Sequence, residues 1–312
     1  MAGECNHLHA RTAPVVAALS GMEAVKGALC FGSYATGTCD EQSDVDLFVL
    51  CHPDLITPED RQRTFALMDG VTELRIGCHN PVWEAQWCPA QDTFRLHGVL
   101  IEIHWNTVDW LRTVVCKVRE EGAPSVPEMQ SRAHTVLGLL ENSVILLDPE
   151  ASLRLMKSQL YPYPLRLKQA LLRESWPVLE ESLSEMRDCA ERGIGNTALH
   201  FHLQRFLEAL MTTIYALNER YDPGTKRVEQ AYASLNRLPP DFLPRYQRIL
   251  ELPLTDSGRR ELVRELDALT KELESMTDAT GADGADSFGT PMQKGSSSYR
   301  ASAANSSGST EF

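Results

Sequence analysis

Long apolar runs are missing from this chain: none approaches the ~20 residues that a helix needs to cross a bilayer. The eight cysteines, at 5, 30, 39, 51, 78, 88, 116 and 189, include no Cys-x-x-Cys pair. That removes the usual spacing of a zinc or dithiol motif. No block of Lys or Arg is present, and formal net charge is −13. A nucleic-acid binder gains affinity by neutralising phosphates and usually presents a basic face. The opening residues, MAGECNHLHARTAP, lack the basic start and apolar centre of a leader peptide. No repeat of 20–50 residues is visible. These absences lead us to expect a reduced, cytoplasmic protein with no membrane partner. The 312 residues, 43% of them apolar, suffice for two ordinary domains.

What is present concentrates in residues 32–46, Gly-Ser-Tyr-Ala-Thr-Gly-Thr-Cys-Asp-Glu-Gln-Ser-Asp-Val-Asp. An apolar run, Ala28–Phe31, precedes it and another, Leu47–Cys51, follows. The pattern predicts a strand over 26–31, a glycine-rich turn, a short helix, and a strand over 45–51. Alternate residues of a strand share a face, so Asp44 and Asp46 project side by side. Two adjacent like charges are costly unless a cation lies between them. Oxygen donors of this kind suit Mg²⁺, which is commonly held by one or two carboxylates plus substrate phosphates. Gly32 and Ser33, ahead of a helix N-terminus, offer backbone N–H groups to a phosphate. Cys30 and Cys51 fall in apolar strand runs and read as core.

The full stretch FGSYATGTCDEQSDVDLFVL resembles the nucleotidyltransferase superfamily typified by DNA polymerase beta, and within it the small antibiotic- and protein-modifying nucleotidyltransferases. The resemblance implies an α+β fold: a mixed sheet with flanking helices, then an all-α C-terminal domain. It also implies two Mg²⁺ ions, with Mn²⁺ as the alternative, held by Asp44 and Asp46. A third carboxylate is expected on an adjacent strand. The segment Gly98–Asn106 reads as a strand with Glu102 at its middle, and a charge inside a buried strand needs a partner. That role is carried to Glu102, as metal ligand and catalytic group. His104 shares its face and reads either as a core or supporting histidine, or as a group that orients an acceptor or relays a proton.

The spacing predicts helices over 12–25, 58–69, 107–121 and 127–142, with one short strand and a long loop in 71–97 and a last strand near 143–149. Beyond that the periodicity is helical: 151–158, 164–192, 196–220, 225–237 and 255–275. Pro177 is expected to kink or end the long helix, and Pro239-Pro240 to break another pair. Residues 277–312, rich in Ser, Gly, Ala and Thr, are expected to be a disordered tail. The domains are therefore read as 1–150, catalytic; 151–276, helical; and 277–312, tail.

A second, less specific resemblance lies in Leu147-Asp-Pro149, Lys157 with Tyr161-Pro-Tyr-Pro164, and Tyr215–Arg227. These stretches are similar to a segment that follows the catalytic domain in a bacterial nucleotidyltransferase family of unassigned function. In relatives the helical domain closes over the cleft and supplies basic residues to the triphosphate. The resemblance assigns Lys226 and Arg227 to that contact, with Lys157 a further candidate. The implied reaction moves a nucleoside monophosphate from an NTP, ATP by default, to an acceptor hydroxyl. The acidic charge favours a small molecule of the aminoglycoside or lincosamide type. A protein or tRNA acceptor, or a non-catalytic nucleotide-binding module, is the alternative. Oligomeric state is not legible.

Overall fold

The computed structural model describes residues 2–52, 56–77, 88–125, 132–222, 224 and 228–281, with side chains described between residues 11 and 277 of those stretches. A first helix, α1 (Ala2–Ser20), leads into β1 (Val25–Phe31). It starts earlier than periodicity places it and stops at Ser20, because Val25 is already taken into the sheet, opposite Cys51. After β1 come a one-turn helix, α2 (Gly32–Thr36), then β2 (Val45–Cys51) and α3 (Pro58–Ala66). Local chemistry explains the start of α3. Thr57 Oγ1 accepts from Asp60 N at 3.1 Å, Pro58 occupies the first turn, and Glu59 and Asp60 suit the N-terminal dipole.

Three strands follow: β3 (Val71–Ile76), β4 (Ala90–Leu96) and β5 (Val99–Thr107). The sequence reading expects one strand and a loop before residue 98, so β4 is an addition. Its inward positions are Asp92, Phe94 and Leu96, all buried, and the acid among them hides the alternation. The six strands form one sheet in the order β3-β4-β5-β2-β1-β6, where β6 is Val144–Leu147. β2 and β5 are parallel, and the other neighbouring pairs are antiparallel.

The remaining helices are α4 (Val108–Cys116), extended by one π-helical turn over Lys117–Glu121, α5 (Ala133–Asn142), α6 (Ser152–Ser158), α7 (Leu165–Arg192), α8 (Asn196–Leu217), α9 (Val228–Tyr232), α10 (Phe242–Glu251) and α11 (Asp256–Gly281). Pro177 lies inside α7 and does not end it. An interior proline costs about 3 kcal/mol, which the buried stripe Leu171, Leu172, Leu179, Leu183 and Met186 offsets. Helix α10 is absent from the sequence reading. Its Pro244 falls in the first turn, where proline is tolerated. Helix α11 continues past residue 276, and residues 282–312 lie outside the described residues.

The two faces of the sheet feed two cores. Val45, Leu47 and Val49 of β2, with Ile101, Ile103 and Trp105 of β5, pack against Val15 and Leu19 of α1 and Phe65 of α3. Leu29, Phe48 and Leu50 point the other way. They join a cluster that runs through α4 and α5 into α7, α8 and α11, so packing is continuous across residue 150.

Candidate active site

Strand β1 delivers the chain into the site. Phe31 lies opposite Asp46 on β2, and Gly32 follows with φ of 70°. A side chain is strained at that φ, and a Cβ on Gly32 would overlap Asp46 Oδ2. Glycine therefore lets the backbone lie directly against the carboxylate. Helix α2 closes at Gly37, in left-handed conformation. Ser43 then shapes the return to β2: its Oγ accepts from Asp40 N and donates to Asp40 Oδ1, each at 2.9 Å. Ser43 is a turn residue, as its position before the acidic pair implies.

The parallel register of β2 and β5 sets Asp46 opposite Glu102 and Phe48 opposite His104. With a period of two, Asp46, Glu102 and His104 share the face that carries Phe48 and Leu50. One carboxylate oxygen from each acid and one His104 ring nitrogen lie within 4.8 Å of one another. His104 Nε2 is 4.0 Å from Asp46 Oδ1, and Gln91 Nε2 donates to Glu102 Oε2 at 3.3 Å. Asp44 stands half-buried just before β2, outside that group of three. Its charge still reaches His104. Burial pushes the imidazole pKa down to about 4, against the upward pull of Asp44, so the ring is neutral near pH 7.

The surroundings of His104 are apolar on one side and sulfur on the other. The Phe31 ring lies 5.3 Å away between centroids, and Cys88 Sγ lies 3.2 Å from Nδ1. Burial pushes the Cys88 thiol pKa up to about 12. Sequence spacing marks neither Cys88 nor Gln91. Their places follow from β4, which pairs with β5 and puts Gln91 opposite His104.

The basic candidates divide. Lys226 and Arg227 lie outside the described residues. Lys157 Nζ donates to Ser143 O, at the start of β6, whose Val144 pairs with Cys30. Burial lowers the Lys157 pKa, opposed by Glu141. Lys157 thus braces the strand end beside the Gly32 turn.

Two of the three stretches of the second resemblance meet at α5, and the third starts α6. Asp148 accepts from Leu153 N at 3.1 Å and Arg154 N at 3.0 Å, starting α6. Glu141 accepts from Tyr161 and pairs with Arg220 Nε at 3.1 Å. Asp222, almost fully buried, accepts from Gly224 N at 2.7 Å and from Thr135 Oγ1 at 3.4 Å. Helix α5 also packs against α2 and β1, so it ties the two stretches that meet it to the turn that covers Asp46.

Facing carboxylates, a third acid close by, and a neutral imidazole form a donor set that fits a divalent cation. Like charges this close otherwise repel. Gly32 leaves backbone room above Asp46 that a side chain would fill.

Two family models match parts of the chain. Residues 14–84 match the family model of the Nucleotidyltransferase domain, and residues 129–227 match a Domain of unknown function (DUF4037). The first match covers β1, the Gly32 turn and β2. That match supports a domain of the nucleotidyltransferase superfamily over residues 14–84, and with it the transfer of a nucleotidyl group in general. No curated protein matches the chain. Among solved structures it is similar to a nucleotidyltransferase-like protein from Exiguobacterium sibiricum 255-15, with 13% identity over 88% of this chain and 80% of that one and a TM-score of 0.39.

Proposed function

We propose that the chain transfers a nucleoside monophosphate from an NTP, ATP by default, to a hydroxyl of a small acceptor of the aminoglycoside or lincosamide type, releasing pyrophosphate. The observation that carries this reading is the register of β2 and β5, which faces Asp46 with Glu102 beneath the Gly32 turn. Asp44, Asp46 and Glu102 would hold divalent cations, which neutralise triphosphate charge and acidify a bound hydroxyl.

The remaining work falls to the chain itself. Gly32 and Ser33 present backbone N–H groups, and Ser33 a hydroxyl, to phosphate oxygens. The acceptor oxygen forms a bond to the α-phosphorus as the bond to pyrophosphate breaks. Its proton leaves to Glu102 or to water. Little covalent chemistry is asked of the protein, because positioning and charge neutralisation carry the rate. A net charge of −13 supports a cationic small acceptor over a nucleic acid.

The test is incubation with each labelled NTP and Mg²⁺ or Mn²⁺ against aminoglycosides, lincosamides, bulk tRNA and cell lysate. Labelled small-molecule product, absent with Asp46→Asn, is the expected result. Label on tRNA or protein would overturn the acceptor class and keep the chemistry. No labelled product from any NTP and acceptor would overturn the enzymatic reading.

A further inference from the structure

His104 sits too well among the acids to be only a core residue. Its ring nitrogen lies within 4.8 Å of carboxylate oxygens from both Asp46 and Glu102, and it is 6% exposed. The protonation pattern of the ring follows from Cys88. Cys88 Sγ lies 3.3 Å from Ala90 O and 3.2 Å from His104 Nδ1. Ala90 O can only accept, and with the thiol proton directed to it Nδ1 carries the ring proton and donates to sulfur. Nε2 is left unprotonated, and it is the nitrogen that faces Asp46 Oδ1 at 4.0 Å. A histidine whose far nitrogen is fixed in this way is arranged as a metal ligand.

Resting on the reading of Asp46 and Glu102 as metal ligands, we propose that His104 Nε2 is a third ligand, and that the centre therefore prefers Mn²⁺, Co²⁺ or Zn²⁺ to Mg²⁺. Three acceptor atoms from adjacent strands converge, and a cation among them relieves their mutual repulsion. Mg²⁺ favours an all-oxygen octahedron, whereas imidazole nitrogen suits borderline first-row ions. Cys88 becomes a positioning residue: it holds the tautomer and touches no substrate.

The experiment uses the metal-free full chain, titrated calorimetrically with Mg²⁺, Mn²⁺, Co²⁺ and Zn²⁺. The Mn²⁺ form is then examined for nitrogen modulation in its pulsed electron paramagnetic resonance. Tighter binding of Mn²⁺ and Co²⁺ than of Mg²⁺, with imidazole nitrogen modulation, is expected. His104→Gln should abolish the modulation and weaken Mn²⁺ and Co²⁺ binding by roughly 10- to 100-fold, with Mg²⁺ affinity nearly unchanged. Cys88→Ala should weaken Mn²⁺ binding by about tenfold and leave the modulation in place. Should His104→Gln fail to fold, the wild-type spectrum decides alone. Mn²⁺ bound without nitrogen modulation overturns the role of His104 and leaves the carboxylate site standing. No binding of any divalent ion overturns both.

Discussion

Asp92 and Asp46 sit on strands that both flank β5, on opposite faces of one sheet, and they serve different ends. Asp92 is saturated: Arg61 Nη1 donates to it at 2.6 Å, Trp105 Nε1 at 2.7 Å and Gly77 N at 3.0 Å. The Arg61 and Asp92 side chains are 5% and 0% exposed. Asp46 instead faces Glu102 and the imidazole of His104. A buried acid surrounded by donors belongs to the structure, whereas acids that converge on one another invite a cation. Burial even pushes the Asp92 pKa up, against the pull of Arg61. Desolvation of a buried pair offsets much of its attraction, and loss of one partner is what would be costly.

The largest effect expected from breaking this comparison is on turnover. Asp46→Asn should reduce nucleotidyl transfer by about 10³-fold or more, the upper range for one preorganised electrostatic contact. Its melting temperature should hold or rise, since one of two facing like charges is gone. Near-normal turnover would remove Asp46 from the site. Asp92→Asn should do the reverse. It leaves Arg61 buried with a neutral partner and should destabilise the fold by about 3–5 kcal/mol, measured by urea unfolding. Combining Arg61→Met with Asp92→Leu should restore much of that loss. An Asp92→Asn protein as stable as wild type would contradict the structural role.

The two acids were not equally legible in the sequence. Asp44 and Asp46 could be picked out because a glycine-rich turn, an Asp-x-Asp pair and apolar strands follow one another at short range. The pairing that joins Glu102 to Asp46 spans 56 residues; the apolar run around Glu102 marks its strand, and the superfamily resemblance supplied the expectation that it faces the Asp pair. Asp92 was invisible: it replaces an apolar residue in β4, and its partner Arg61 comes from α3. Cys88 was invisible for a related reason, since its role depends on β4 lying beside β5. Helix α10 escaped because prolines mark helix ends in sequence but are harmless in a first turn. Pro177 does not end α7, because a long apolar stripe outweighs one lost hydrogen bond.

A smaller effect should come from Gly32→Ala. The left-handed backbone costs a side chain about 1–2 kcal/mol, and the new methyl group must displace the Asp46 carboxylate. A shift of about 1 Å in a reacting group can cost on the order of 10²-fold, so turnover should fall more than stability. Binding of Mn²⁺ should weaken along with it, because the same carboxylate is moved. An active Gly32→Ala protein with wild-type metal affinity would mean that the turn does not press on Asp46.

The smallest effect should follow removal of the residues after 281. Helix α11 buries Leu262, Leu266, Leu269 and Leu273 in the common core, and Met276 packs partly against it. Those contacts end before the Ser-, Gly- and Ala-rich stretch begins. Residues 282–312 have Phe288, Met292, Tyr299 and Phe312 as their only large apolar side chains, too few to bury the surface that ordering would require. A chain ending at residue 281 should match the full chain in melting temperature and in transfer rate. A chain ending at residue 255 lacks α11 altogether and should unfold more easily, since each large apolar residue lost from a core costs about 2–5 kcal/mol. Equal stability of the 255- and 281-residue chains would show that α11 is not part of the core. A loss of transfer on cutting at 281, with melting unchanged, would give the tail a role in the reaction that its composition does not imply.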